Sequence, residues 1–335
     1  MAEPKFLIVR LGSLGDIVHA FPAVAALKET FPGSKIVWLT HRRWRELVAS
    51  AQIAHEIWEV ETRSLTSVRE ICRKIRTEKF SAAIDYQGLW KSAALPFLSS
   101  VPRRIGFSSD SVREFGVPVL YTDRVRTLGV HVVDINGELS IRAGSATPIA
   151  NFSLTVSEEA KAVVRGMLNS NAIKDYIVLN PGGGWFSKCW PVERYGVLAA
   201  RLRSELGVRC VLNYGPGEKK LAEQVDTASG EAAPVLYGGM FGELMALLQG
   251  AKCVVAGDTG PLHLADALGT KVAAIFGPTD PARNGPYLGR STERAIVVRA
   301  EGVESTYKRT DEVHPSLLQI SVQQVFEAIR RLEAR

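Results

Sequence analysis

At 335 residues the chain exceeds what one small core organises, so two domains are the default expectation. Its composition, 46% hydrophobic and 23% charged, is that of an ordinary soluble globular protein, and no apolar run reaches the about 20 residues that a membrane span requires. The net charge of +6 is uneven: residues 1–150 carry 20 Lys and Arg against 15 Asp and Glu, the remainder 21 against 20, so the first half suits either an anionic partner or simple solubility.

The chain opens with an apolar strand over 5–11, a glycine loop over 12–16 and a helix over 17–31, whose Val18, Phe21, Val24, Ala25 and Leu27 recur at helical spacing. Pro22 is expected to kink that helix, and Pro32-Gly33 ends it. A second strand over 35–40 completes a strand–helix–strand unit and implies a parallel sheet. Further strands are predicted over 56–60, 81–86 and 103–107. A basic amphipathic helix is predicted over 67–77, and another helix runs from the turn at 87–92 through 98. Between 108 and 150 only a helix over 132–142 is predicted, and the polar, turn-rich 143–157 reads as an inter-domain linker.

The second half repeats the alternation. Strands are predicted over 176–180, 208–214, 234–237, 253–255 and 272–276, with helices over 157–168, 192–206, from 219, over 242–249 and over 316–333. The fold class is therefore α/β, as two consecutive doubly wound domains, and such sheets bind ligands at the carboxyl ends of their strands. The glycine loops lie at such ends, and two such edges facing each other would form a cleft for a pair of substrates. The cysteines at 72, 189, 210 and 253 have no zinc or redox spacing, and a reducing cytoplasm fits them. No signal peptide is read in FLIVRL, which is short and runs into a glycine loop, so any membrane association is expected to be peripheral.

The stretch 251–269 organises the second half: a buried strand, a turn freed by Gly257 and Gly260, and a helix that Thr259 can cap and Gly269 stops. Pro261 suits the first turn, and the free N–H groups at that helix start make a seat for an anion. Asp258 and His263 flank the seat; the plainer reading is a surface Asp and a core His. Lys188, after the glycine loop, can reach a diphosphate or simply face solvent. Glu218 can accept two hydrogen bonds from a ribose or serve as a favourable helix-start acid, and Met240 can pack on a base or fill a core. Asp16, at the mouth of the first glycine loop, is either an N-cap or a reactive carboxylate. No G-x-G-x-x-G, P-loop or Asp-x-Asp pattern occurs, which counts against a dinucleotide site and a diphosphate-bound metal.

Several stretches together resemble the family 9 glycosyltransferases, the ADP-heptose:lipopolysaccharide heptosyltransferases. They are Arg10-Leu-Gly-Ser-Leu-Gly-Asp-Ile-Val-His19, Asp85-Tyr-Gln-Gly-Leu-Trp-Lys-Ser92, Lys188-Cys-Trp-Pro191, Asp258-Thr-Gly-Pro-Leu-His263 and Phe276-Gly-Pro-Thr-Asp280. The first loop is closest to the heptosyltransferase I type. The resemblance implies a GT-B fold of two Rossmann-like domains facing across a cleft: 1–157 for the acceptor, 158–314 for the nucleotide-sugar donor, and a final helix, 315–335, crossing back to the first. It implies an inverting, metal-independent transfer from ADP-heptose to Kdo-lipid A in lipopolysaccharide inner-core synthesis, with no cofactor. It makes Asp16 the general base, and Gly183, Gly184, Lys188, Glu218, Met240, Asp258, Thr259, Gly260 and His263 the donor contacts. Where heptosyltransferase I commonly has two threonines this chain has Gly183 and Gly184, so phosphate contacts there fall to backbone N–H groups.

For the acidic acceptor the expected contacts are Ser13 and Gly15 beside Asp16, together with Arg63, Gln87, Lys91, Arg103, Arg104 and His131 in the basic first half; each Arg reads equally as a solvated charge. The chain is expected to be a cytoplasmic monomer with no nucleic-acid partner, in peripheral contact with the inner membrane, where the basic helix around 69–76 can rest on anionic lipid or stay in solvent. A sugar-nucleotide epimerase or a non-catalytic nucleotide-sugar sensor are the rival readings of the same two-domain pattern.

Overall fold

The computed structural model describes residues 3–334 and divides into two compact units, Met1–Thr155 and Val156–Arg335. Among the described residues the first unit holds six strands: β1 (Lys5–Val9), β2 (Lys35–Thr40), β3 (Glu56–Glu59), β4 (Ala82–Asp85), β5 (Arg104–Phe107) and β6 (Asp123–Val125). The second holds β7 (Tyr176–Asn180), β8 (Arg209–Asn213), β9 (Val235–Tyr237), β10 (Cys253–Gly257), β11 (Val272–Phe276) and β12 (Ala295–Arg299). All pairings are parallel, in the order β3-β2-β1-β4-β5-β6 and β12-β11-β10-β7-β8-β9. Helices cover both faces, which is why the central strands are apolar without alternation; β7, β10 and β11 are buried throughout.

Both sheets wind outward from the middle in one direction and then in the other. The order reverses between β1 and β4 in the first unit and between β7 and β10 in the second. A crevice opens at the carboxyl ends on either side of such a reversal, because the two flanking connections leave to opposite faces of the sheet.

Two local expectations are corrected. The helix predicted over 17–31 is two helices, Leu14–Val18 and Phe21–Thr30, and Pro22 sits in the first turn of the second, where its missing N–H has no partner to lose, rather than kinking a longer one. The helix predicted over 316–333 is likewise split into Pro315–Leu318 and Val322–Glu333, the second capped by the Ser321 hydroxyl. In that last helix Val325, Phe326, Ile329 and Leu332 are buried in the same core as Leu198, Leu202 and Ile275. Its apolar stripe is matched by that core, and the Trp190 indole holds the preceding turn by donating to the Ile320 carbonyl at 3.0 Å. The sequence reading also passed over β6, β12 and the helix Arg45–Ser50, all short.

Candidate functional site

In the first unit the connection after β1 runs through Arg10, Gly12 and Ser13 into the short helix Leu14–Val18. Ser13 is its N-cap, and Asp16 reaches back: one carboxylate oxygen accepts from the Ser13 N–H at 3.1 Å and the Ser13 hydroxyl at 2.8 Å. The other oxygen is 2.7 Å from the Arg10 guanidinium. The Asp16 side chain remains 38% exposed, so the carboxylate is held by Ser13 and Arg10 and still reaches solvent. Arg10 is itself buried and donates to the Tyr86 carbonyl across the strand reversal, while the Leu11 N–H donates to Gln87 Oε1 at 2.8 Å. The two loops at the crevice are thereby tied together.

The floor of this crevice is Asp85, the last residue of β4, almost wholly buried. Its carboxylate accepts from the Ser92 hydroxyl at 2.8 Å, the Tyr121 hydroxyl at 2.7 Å, and the N–H groups of Gln87 and Gly88 at 2.9 and 3.3 Å. Burial pushes this carboxyl up, against the pull of those hydrogen bonds. Gly106 makes the arrangement possible, since a Cβ there would lie 2.3 Å from the Tyr121 ring. His131 caps the helix Val132–Ala143 and stands edge-on to His19, their ring centres 5.5 Å apart.

The expected acceptor residues divide. Ser13, Gly15, Gln87 and Lys91 lie in the connections after β1 and β4, His131 touches His19 next to them, and Arg63 follows β3 at the same sheet edge. Arg103 and Arg104 do not join them. Arg104 begins β5, so both stand at the amino edge of a parallel sheet, the end away from the crevice. Their guanidiniums are spent on structure: Arg104 donates to the carbonyls of Leu120 and Val101, and Arg103 to Asp123 and the Arg142 carbonyl. The sequence alone shows two arginines near a strand, not at which end.

In the second unit the expected donor residues converge. Lys188 Nζ lies 2.8 Å from one oxygen of Asp258, and His263 Nε2 lies 3.2 Å from the other. Burial pushes the Asp258 carboxyl up, but the His263 hydrogen bond and the Lys188 charge outweigh it and hold the group well below the usual carboxylate range. Gly182 and Gly183 let neighbouring loops close in. A Cβ on Gly182 would fall 2.4 Å from the Glu218 carboxyl carbon, and one on Gly183 would fall 3.1 Å from Thr259 Cγ2. A Cβ on Gly184 would meet no atom of the described residues within 4 Å, and the residue is exposed. Glu218 is fastened by the Gly215 N–H at 2.8 Å. Met240 is 74% exposed at the start of the helix Phe241–Gly250, beside the end of β9, and so is not core filler.

Thr259 is the N-cap residue of the helix Gly260–Ala267, yet its side chain makes no capping bond, which corrects the sequence reading. Its hydroxyl is buried with no hydrogen-bond partner among the described residues, as are those of Ser187 and Thr279 on the adjoining loops. Buried hydroxyls left unpaired are uncommon, and three at one sheet edge, beside a helix N-terminus, offer donors to a polar ligand. The Trp185 indole carries two cations, the Lys188 ammonium at 4.5 Å and the Arg309 guanidinium at 4.6 Å from its ring centre. The sequence assigns no role to Arg10 and Asp85 beyond their place in the quoted stretches, and none to Trp185. A charged residue at the carboxyl end of an apolar strand is the available signal for the first two.

The model of a protein family described as glycosyltransferase family 9 (heptosyltransferase) matches residues 68–315. The lipopolysaccharide heptosyltransferase 1 of Pseudomonas aeruginosa is 28% identical over 301 residues, covering 86% of this chain and 82% of that protein. Among solved structures, a glycosyl transferase family 9 protein from Veillonella parvula superposes with a TM-score of 0.86 at 20% identity, over 100% of this chain and 98% of that one. The E. coli heptosyltransferase WaaC, solved with ADP, superposes with a TM-score of 0.78 at 24% identity, over 98% and 99% of the two chains. The fold is that of the GT-B heptosyltransferases, built from two doubly wound units.

Proposed function

Since the chain belongs to glycosyltransferase family 9, the heptosyltransferases, we propose that this glycosyltransferase moves L-glycero-D-manno-heptose from ADP-heptose to the Kdo region of lipid A, as a heptosyltransferase I, with inversion and without a metal. The observation that carries the donor half is the convergence of Lys188, Asp258, His263 and the unpaired Thr259 hydroxyl at the start of the helix Gly260–Ala267. That helix start and Lys188 supply positive charge where the leaving diphosphate needs it. Glu218 takes the ribose hydroxyls, Met240 the face of the adenine, and Gly183, Gly184 and Gly260 let backbone N–H groups approach phosphate. ADP is the ligand in the solved WaaC structure.

The first unit takes the acceptor. A Kdo hydroxyl attacks the anomeric carbon, the bond from that carbon to the ADP oxygen breaks, and the configuration inverts. Asp16 accepts the hydroxyl proton as the new C–O bond forms, a task worth roughly 10²–10⁴-fold. Ser13 and Arg10 hold the carboxylate for it. The enzyme acts as a cytoplasmic monomer at the inner face of the membrane that carries its acceptor.

The test is purified protein with ADP-heptose, followed by ADP release with and without Kdo-lipid A and with EDTA. Release that requires acceptor, survives EDTA and yields the opposite anomer supports the reading. Donor turnover without acceptor rejects it in favour of an epimerase or hydrolase.

A further inference from the structure

The first unit exposes a band of large apolar side chains. Phe115 is 98% exposed, and Val119, Leu98, Trp90 and Phe97 are each exposed by about half or more. They form one face. The Trp90 indole donates to the Phe115 carbonyl at 3.2 Å, and the helix Trp90–Leu98 that carries Trp90, Phe97 and Leu98 packs against the turn Val117–Leu120 that carries Val119. Apolar area of this kind, bared on one face of a polar unit, marks a surface that meets a partner.

The rim of the band is cationic. Arg76 donates to the Leu98 carbonyl at 2.8 Å, Arg104 stacks over the Phe97 ring at 5.5 Å, and Arg124 donates to the Pro118 carbonyl at 2.9 Å. Arg113 is exposed two residues from Phe115, and Arg73 is exposed one turn from Arg76 on the same helix, Leu65–Glu78. Of the nearby acids, Glu114 is tied to the Trp90 N–H at 2.8 Å, and Asp123 is paired with Arg103 and Arg142. Arginines bordering protruding aromatic and aliphatic side chains complement an anionic, apolar-cored surface: headgroup phosphates meet the guanidiniums while the rings and Val119 enter the acyl boundary.

We propose that this face, centred on Phe115 and Val119 and rimmed by Arg73, Arg76, Arg113 and Arg124, docks the first unit on an anionic lipid bilayer. It names a partner for the proposed activity, whose acceptor is lipid-linked, but it stands on the exposed band and not on that reading. Docking here puts the basic helix against lipid through its Arg73 and Arg76 end and makes aromatic insertion the anchor.

The experiment is co-sedimentation of the full chain with vesicles of phosphatidylcholine alone or with 30% phosphatidylglycerol, at low and high salt, alongside ADP release on a soluble, chain-free Kdo acceptor. The natural chain is expected to sediment with the anionic vesicles and not with the zwitterionic ones. Phe115→Ser/Val119→Ser should weaken binding at least tenfold, and Arg73→Gln or Arg113→Gln about fivefold each, near the ~1 kcal/mol of one basic side chain at such a surface. All variants should keep the soluble-acceptor rate and the far-UV circular dichroism of the natural chain. Three outcomes overturn the proposal: no binding of the natural chain to anionic vesicles, equal binding by the serine variant, or loss in that variant of a dimer seen by sedimentation, which would assign the face to a second copy. A chain that binds vesicles but transfers no sugar would leave this inference intact and reject the proposed function.

Discussion

Arg10 and Asp16 form an ion pair of 2.7 Å at the strand reversal of the first sheet, and the same guanidinium grips the Tyr86 carbonyl on the opposite loop. The second sheet repeats the device with other residues. Lys188, in the connection after β7, reaches Asp258 at the end of β10 at 2.8 Å. In both units a cation from the first connection bridges the crevice to the second, so one residue sets both the local charge and the spacing of the loops.

The first prediction separates reactivity from support. Asp16→Ala should lower kcat by about 10²–10⁴ with ADP affinity unchanged. Arg10→Ala leaves the carboxylate in place but loosens it, and should lower kcat of the order of 10², since small misplacements carry such factors. Steady-state kinetics with isothermal titration of ADP decide it; equal loss of ADP binding in Asp16→Ala would assign the carboxylate a capping role only.

A second prediction concerns pH. Asp258→Asn leaves the Lys188 ammonium, 13% exposed, without its partner and should cost about 3 kcal/mol in urea unfolding at pH 7. Because the folded carboxyl is held below its ordinary value, its contribution is complete at neutral pH and drains as pH falls below the unfolded value of about 4. The stability gap between the natural chain and the variant should therefore narrow from pH 7 to pH 3. A gap that stays constant over that range contradicts the assignment.

Asp85 gives a purely structural prediction. Removing its carboxylate strands the buried Tyr121 hydroxyl and takes the acceptor from the Gln87 and Gly88 N–H groups, so Asp85→Ala should lose about 3 kcal/mol by chemical denaturation. Tyr121→Phe, which removes one of four donors and leaves the others, should lose about 1 kcal/mol. Losses in the reverse order would show that the phenol, not the carboxylate, organises the loop.

The glycine loop of the second unit offers a matched pair. Gly182→Ala would push a methyl to 2.4 Å from the Glu218 carboxyl carbon, whereas Gly184→Ala meets nothing within 4 Å among the described residues. The first should raise the KM for ADP-heptose about as much as Glu218→Ala does, and the double variant should be no worse than either alone. The second should be silent unless a ligand occupies that space, so a KM change confined to Gly184→Ala would locate phosphate against its backbone.

The alternation of strands and helices was legible because it is local. Apolar runs such as those at 176–180 and 272–276 and the helix at 192–206 match the structure residue for residue, since buried parallel strands and helical spacing are written in consecutive positions. The glycine loops marked the carboxyl ends, and Lys188, Asp258 and His263 were picked out because they stand beside them. Tertiary structure alone decided the rest. Which end of a strand a residue occupies in space, the strand order that makes a crevice between β1 and β4, and the removal of Arg103 and Arg104 to the far edge depend on how the sheet is wound. The Arg10–Tyr86 and Lys188–Asp258 bonds join residues some seventy positions apart, and the last helix buries its apolar stripe in a core that also holds Ile275 and Leu198. Periodicity specifies which face of an element is buried; only the packing of distant elements determines which partner buries it.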